Sequence, residues 1–402
     1  MNTQKIYFLN PSYTNFSIEE ELLSNTGFEL VPVRFNDRSI DEIADAVAIL
    51  TNTDPISREI ASKLRNCKVI TRTGVGFDII DVPACRSLGI EVCYVPDYGT
   101  EDVANHAIAL LFALHRHLLQ YHRSVANGLW EYRIAGEMHL MKELRLGIFG
   151  LGRIGSDFAK KMQTFVGEIL GYDPLISALQ NKGIRLSSAD EIFAECEIIS
   201  LHLPLSAPNH HFIGDSAISK MAQKPILINV SRGGLVDTDS LIRGLRGGQL
   251  SGAGLDVLET EPLVAAELLQ FENVILTPHA AWFSVEASNR LRRSAIADIL
   301  RVLSGQRPLH PLSRFLEYPE LELSNNLAEN SMRPVALGRK NWVHLGSKEA
   351  GPRVAAIISI VETCRRLSLP IRDYLGSVLP GLADFPFNRV AELTPSAWAA
   401  RK

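Results

Sequence analysis

Residues 146–173 constrain the fold of this chain more than any other stretch. An apolar run at 146–149 is followed at once by Gly150-Leu151-Gly152-Arg153-Ile154-Gly155, then a helical segment, then a second apolar run that ends on Asp173. Strand, glycine turn, helix and strand make one βαβ unit. In such a unit Gly150 makes the tight turn, Gly152 lets the backbone approach a pyrophosphate, and Gly155 lets helix and strand pack closely. The helix start offers unpaired N–H groups and the positive end of its dipole to an anion. In a chain with 28 glycines the spacing alone would carry little; the flanking strands and the acid carry the rest. Asp173 stands where a carboxylate binds the ribose hydroxyls of NAD and repels the extra phosphate of NADP. Arg153, Ile154 and Val230 are counted with these groups as cofactor-binding, and NAD is the expected cofactor.

The same rhythm runs through most of the chain. Apolar runs at 6–9, 29–33, 46–50, 68–72 and 90–93 predict strands, with helices at 17–24, 40–44, 57–64 and 82–88. Beyond Asp173, strands are expected at 197–201, 226–230, 253–257 and 274–277, and a helix at 238–246. Strands alternating with helices imply parallel sheets covered on both faces. Apolar periodicity also predicts one long helix over 101–126, a hinge between two domains, and another over 287–303 that crosses back to the first. The expected fold is therefore α/β, with two Rossmann-like, doubly wound parallel-sheet domains. Residues 1–98 and 286–313 form a flavodoxin-like substrate domain, and residues 99–285 form the NAD-binding domain. From 314 to 402 the βα rhythm stops, leaving a mainly helical or irregular tail with one helix at 354–367.

Composition narrows the partners. The chain is 46% apolar and 21% charged with a formal charge of −4, so nothing in that balance calls for nucleic acid or an anionic membrane. No apolar run approaches the ~20 residues of a membrane helix, and residues 1–10 carry no secretory signal, so a cytoplasmic location is expected. The five cysteines (Cys67, Cys85, Cys93, Cys196, Cys364) are scattered and read as reduced thiols, with no metal ligand assigned.

Polar residues mark four strand ends, where α/β sheets place their ligands. They are Thr71-Arg72-Thr73-Gly74-Val75-Gly76-Phe77-Asp78, Asn229-Val230-Ser231-Arg232-Gly233-Gly234, Asp256 with Glu261-Pro262, and Thr277-Pro278-His279. Each alone has a bland explanation, such as a surface arginine, a solvated acidic loop or a satisfied histidine. Together they suit reduction of a 2-oxo acid. As hydride reaches the carbonyl carbon, charge builds on oxygen, and a protonated His279 can supply the proton. Glu261 on the other ring nitrogen would fix the tautomer and favour the cation. Arg232 offers a planar fork of donors to carboxylate and carbonyl, with the N–H groups around Val75 and Gly76 on the other side. A zinc alcohol dehydrogenase is disfavoured by the lack of clustered Cys/His ligands.

Over residues 1–312 these motifs, in this order, resemble the D-isomer-specific 2-hydroxyacid dehydrogenases. The resemblance implies Arg232, Glu261 and His279 as the catalytic residues, Asp256 near the nicotinamide carboxamide, and Asp173 on the adenosine ribose. It also implies a homodimer built around the NAD-binding domains. The run at 72–78, Asn209-His210-His211 and His279-Ala280-Ala281-Trp282-Phe283-Ser284 look most like the C-terminal-binding protein branch, the NAD(H)-sensing corepressors and their bacterial relatives. By that likeness Arg72 and Trp282 line the substrate pocket and favour an apolar or thioether side chain, while Asn105 departs from a frequent Glu. Residues 320–400, with Asn325-Asn326-Leu327-Ala328-Glu329-Asn330 and Gly338-Arg339-Lys340-Asn341, are similar to the C-terminal end of an insertion-sequence transposase. One carboxylate, Glu329, cannot assemble a two-metal site. Three functions follow: a dehydrogenase, an NAD(H)-sensing interaction protein that keeps the same trio, and a DNA-handling protein acting through the tail.

Overall fold

The computed structural model describes residues 3–36, 40–176, 183–262, 264–312 and Ser377, all but Ser377 within the unit Met1–Pro319. The expectations for residues 314–402, including the helix at 354–367 and Glu329, lie outside the described residues.

The first lobe is a parallel sheet of β1 (Gln4–Leu9), β2 (Phe28–Val33), β3 (Ala48–Thr51), β4 (Val69–Arg72) and β5 (Glu91–Cys93). Its order, β2-β1-β3-β4-β5, is the flavodoxin-like one. Helices α1 (Ser17–Leu23), α2 (Arg58–Lys63) and α3 (Val82–Ser87) cover it. Ser57 and Asp81 start the last two by accepting the N–H of Ile60 and Ala84. Every β3 residue is buried, as a strand covered on both faces must be.

Two helices follow where one long helix is expected: α4 (Thr100–His115) and α5 (Leu118–Ala126). The break has a packing cause. The apolar face of α4, from Val103 to Leu114, is buried against the second sheet, whereas α5 buries no residue. Where the buried face ends, His117 adopts a left-handed conformation (φ 49°) and turns the chain away.

The second lobe carries seven parallel strands. In chain order they are β6 (Arg145–Phe149), β7 (Glu168–Tyr172), β8 (Arg185–Leu186), β9 (Ile198–Leu201), β10 (Ile226–Asn229), β11 (Gly252–Leu255) and β12 (Val274–Leu276). Helices α6 (Arg153–Met162), α7 (Ala189–Glu195), α8 (Asp215–Ile218) and α9 (Thr238–Arg246) connect them. The order β12-β11-β10-β9-β6-β7-β8 reverses direction between β6 and β9, so the switch point opens beside the glycine turn. Register then fixes the site. Phe149 pairs with Tyr172 and Leu201, Leu201 with Asn229, Asn229 with Leu255, and Leu255 with Leu276. The carboxyl ends therefore form one row, and every motif of this lobe leaves the sheet along it.

Helix α10 (Val285–Leu303) returns to the first lobe and packs on α1, β4 and β5. Its fully buried Asp298 accepts the N–H of Leu309 (2.5 Å) and contacts His310 Nδ1 (2.9 Å). That holds the following segment against β5, where Leu312 N donates to Val92 O at 2.7 Å.

Candidate active site

Gly150, directly after β6, has φ +93°, a conformation that L side chains rarely adopt, and a Cβ there would meet the His202 carbonyl oxygen at 2.5 Å. A Cβ on Gly155 would meet the Gly150 carbonyl oxygen at 2.0 Å, so helix and turn touch through the glycine. At Gly152 a Cβ would meet nothing within 4 Å. This open cradle at the first turn of α6, with its outward N–H groups, fits a dinucleotide pyrophosphate. Asp173 directly follows β7 beside the cradle, its carboxylate accepting Leu151 N at 2.9 Å and Leu175 N at 3.0 Å. Val230 lies in the apolar core of this lobe, and the half-buried Ile154 packs against it. The Arg153 side chain turns toward the first lobe, with Nη1 at 3.0 Å from the Pro96 carbonyl oxygen and 2.9 Å from Asp97 Oδ1.

The other strand ends converge. His279 Nδ1 lies 2.8 Å from Glu261 Oε2, and Glu261 Oε1 accepts Leu258 N at 3.0 Å. Burial pushes the Glu261 carboxyl up, but the His279 hydrogen bond and charge, the Leu258 N–H and the Arg232 charge together hold it below the ordinary glutamate range. Arg232 donates through Nη1 to the Ser231 carbonyl oxygen at 2.8 Å, and its Nε and Nη2 each lie 3.4 Å from Asp78 Oδ1. Asp78 belongs to the first lobe, so this contact spans the cleft. A Cβ on Gly76 would fall 1.4 Å from Arg232 Nη2, and one on Gly74 would fall 1.1 Å from Arg72 Nη1. Two guanidinium groups thus lie over a floor made by glycines. The N–H groups of Val75 and Gly76 donate to no described group.

Arg72, the last residue of β4, donates to the Thr73 carbonyl oxygen at 2.9 Å, while its Nε is buried without a described partner. Burial pulls its pKa below the ordinary arginine value; Tyr98 opposes this, and the nearby Arg232 charge adds to it. Trp282 is half-buried where the cores of the two lobes meet, edge-on to Tyr98 at 5.8 Å between centroids. Its packing role is thus visible, and Tyr98 links it to Arg72.

Asp256 is 2% exposed, and its carboxylate accepts Thr277 Oγ1 (2.6 Å), Ala280 N (2.8 Å) and Ala281 N (2.9 Å). It is therefore bound up with the turn that presents His279, whose own N donates to the Asp256 carbonyl oxygen at 2.8 Å and whose φ is +54°. His106 on α4 joins this cluster through Thr277 Oγ1 at 2.9 Å, while its neighbour Asn105 is exposed. Sequence reasoning missed Asp78, Tyr98 and the His106–Thr277 contact. Asp78 stood inside a quoted motif, but nothing local marked it as the partner of an arginine 154 positions away. A separate cavity of about 310 Å³, lined by His115, His139, Glu197 and Asn273, opens at the amino ends of the strands, and none of the expected site residues lines it.

Comparison with known proteins identifies the lineage. Residues 108–281 match the D-isomer specific 2-hydroxyacid dehydrogenase, NAD binding domain. A glyoxylate reductase from Thermofilum pendens is 34% identical over 267 residues, 64% of this chain and 78% of that protein. A hydroxypyruvate reductase from Blautia hydrogenotrophica is 32% identical over 306 residues, 74% of this chain and 95% of that protein. Among solved structures, D-lactate dehydrogenase from Aquifex aeolicus complexed with NAD and lactic acid aligns with a TM-score of 0.68 at 30% identity. That alignment covers 75% of this chain and 96% of the other. The likeness to an insertion-sequence transposase is also borne out, as a match to the Transposase IS66 family over residues 262–353. It begins inside the dehydrogenase part and ends at residue 353, within the 320–400 span expected. The chain belongs to the D-isomer specific 2-hydroxyacid dehydrogenase family, the NAD-dependent oxidoreductases of 2-hydroxy acids.

Proposed function

We propose that this chain reduces a small 2-oxo acid to its 2-hydroxy acid, glyoxylate to the achiral glycolate or hydroxypyruvate to D-glycerate first among them. The observation that carries the reading is the convergence of His279–Glu261 and Arg232 on the strand-end row that also holds the open Gly152 cradle. NADH bound along residues 150–155 and Asp173 supplies the hydride. Every other part of the reaction falls to side chains and backbone of the chain itself.

Arg232 grips the substrate carboxylate and the carbonyl oxygen through its fork, and the free N–H groups of Val75 and Gly76 hold the opposite carboxylate edge. With Nδ1 committed to Glu261, His279 presents Nε2 to the carbonyl oxygen and releases its proton there as charge develops. Glu261 stays ionised through this step because its pKa is held low, and its hydrogen bond to Nδ1 keeps the ring oriented before and after transfer. Asp256 positions the His279 turn and faces the nicotinamide end of the cleft. Arg72 and Trp282 border the far side of the pocket and select the substrate side chain.

In this reading residues 1–98 and 286–313 form the substrate domain, and residues 99–285 the NAD-binding domain. The Asp298 clasp on 309–312 supports that closure. A homodimer is part of the proposal. Trp130, Tyr132 and Leu140, 88%, 69% and 73% exposed, give the NAD-binding lobe an apolar face suited to a second copy. No helix among the described residues is long and apolar enough to cross a membrane. The deciding experiment measures NADH oxidation by the purified chain across glyoxylate, hydroxypyruvate, pyruvate and a thioether oxo acid. Tight NADH binding with no turnover on any of them would reject the enzyme and favour the NAD(H)-sensing alternative.

A further inference from the structure

Outside the reaction centre, one group of side chains has donor chemistry that the reduction does not use. The loop after β9 carries His210 and His211 in adjacent positions, and the segment after β11 carries Glu259. His211 is fixed at φ +57°, with its N–H donating to the Gly234 carbonyl oxygen at 2.8 Å. Its ring lies 3.9 Å from that of His210, and its Nε2 lies 2.5 Å from Glu259 Oε1. One ligand atom from each of the three residues lies within 4.8 Å of the others.

We propose that His210, His211 and Glu259 form a binding site for a divalent transition-metal ion of the zinc class. Two imidazole nitrogens and one carboxylate oxygen are a donor set that zinc accepts, with a fourth position left for water. Tetrahedral bonds of about 2.1 Å separate ligand atoms by about 3.4 Å, so the His211–Glu259 contact opens from 2.5 Å and the three donors, now within 4.8 Å of one another, turn inward around the ion.

The groups behind the donors are already in place. His211 Nδ1 lies 3.4 Å from Asp237 Oδ2, an ion-pair distance that puts a carboxylate behind the ring of a metal-binding histidine. The other oxygen of Glu259 accepts from Thr238 Oγ1 at 2.8 Å and Thr238 N at 3.2 Å, leaving Oε1 turned to the histidines. An ion pair of His211 with its two acids would account for that ring alone. It gives no role to His210, which is exposed, hydrogen-bonds to no described residue and lies against the ring of His211. The ion would tie the loop after β9 to the segment that, two residues on, carries Glu261. The proposal does not depend on which substrate the cleft takes.

The test is a Zn²⁺ titration of the metal-stripped, tag-free full chain against a competing chromophoric chelator. Wild type should take up one equivalent. His210→Gln, His211→Ala and Glu259→Gln should each weaken binding by about tenfold or more, and Asp237→Asn should weaken it through His211. Circular dichroism and NADH fluorescence titration confirm that each variant is folded. Should His211→Ala fail to fold, His210→Gln decides alone, because that side chain is exposed. Failure of wild type to bind saturably, or unchanged affinity in His210→Gln, overturns the site.

Discussion

Adding one methyl group at Gly76 should disable the enzyme while leaving it folded. The Cβ of alanine there would lie 1.4 Å from Arg232 Nη2, 2.6 Å from Arg232 Cζ and 2.9 Å from Asp78 Oδ1. All three atoms sit at the ends of side chains, so the guanidinium yields and the backbone keeps its place. Reaching ordinary contact at about 3.5 Å moves Nη2 by roughly 2 Å. A misplacement of even about 1 Å in a catalytic constellation can cost on the order of 10²-fold, and losing one preorganised charged donor costs about 10²–10³. For Gly76→Ala, kcat/KM should therefore fall by about 10²–10³, or about 2.7–4 kcal/mol of transition-state stabilisation. The assay is steady-state NADH oxidation with hydroxypyruvate, alongside NADH affinity and melting temperature. Both of the latter should stay close to wild type, because the cofactor cradle and the cores are untouched. A variant with wild-type kcat/KM would refute the placement of the working guanidinium over Gly76.

Three more outcomes follow from the geometry. Burial pushes the His202 imidazole down to about 3, so the folded chain keeps it neutral while the unfolded chain protonates it near pH ~6.5. Its contribution is therefore complete above ~6.5 and is lost as pH falls toward the folded value; urea unfolding at pH ~7 and ~5 should show wild type losing about 2 kcal/mol more than His202→Gln. Asp173→Ser should weaken NADH binding by about tenfold and strengthen NADPH binding, whereas an equal loss for both would remove Asp173 from the ribose. Trp130→Asp should convert a wild-type dimer to monomer in light scattering; a monomeric wild type would contradict the proposed interface.

The regular part of the fold was legible because buried parallel strands are short apolar runs between polar stretches, and β1 to β5 all fall within about two residues of the runs that mark them. The two-residue β8 and the four-residue α8 were not legible, since elements so short show no periodicity. The long-helix expectation failed at His117 because periodicity reports an apolar face and not the place where that face loses its partner. At the site, the His279–Glu261 contact could be anticipated, as each residue follows a strand end and the chemistry needs the pair. Asp78 against Arg232 could not, because the contact exists only when two lobes meet across a cleft. Asp256 shows a subtler gap. Its place near the site was readable, but its engagement with the Ala280 and Ala281 N–H groups depends on a turn whose geometry no motif spells out. The His210–His211 pair entered only as a likeness to a branch of the family; its nearness to Glu259 needed the packing of two loops.

The central claim is that His279 delivers a proton to a carbonyl whose carboxylate Arg232 holds. It is tested most directly by single-turnover reduction of hydroxypyruvate with pre-bound NADH, comparing wild type with His279→Gln and resolving the product by chirality. The account predicts D-glycerate from wild type and a rate lower by about 10²–10⁴ in the variant, with NADH and substrate still bound. Formation of the L-isomer, or an unchanged rate in His279→Gln, would contradict it.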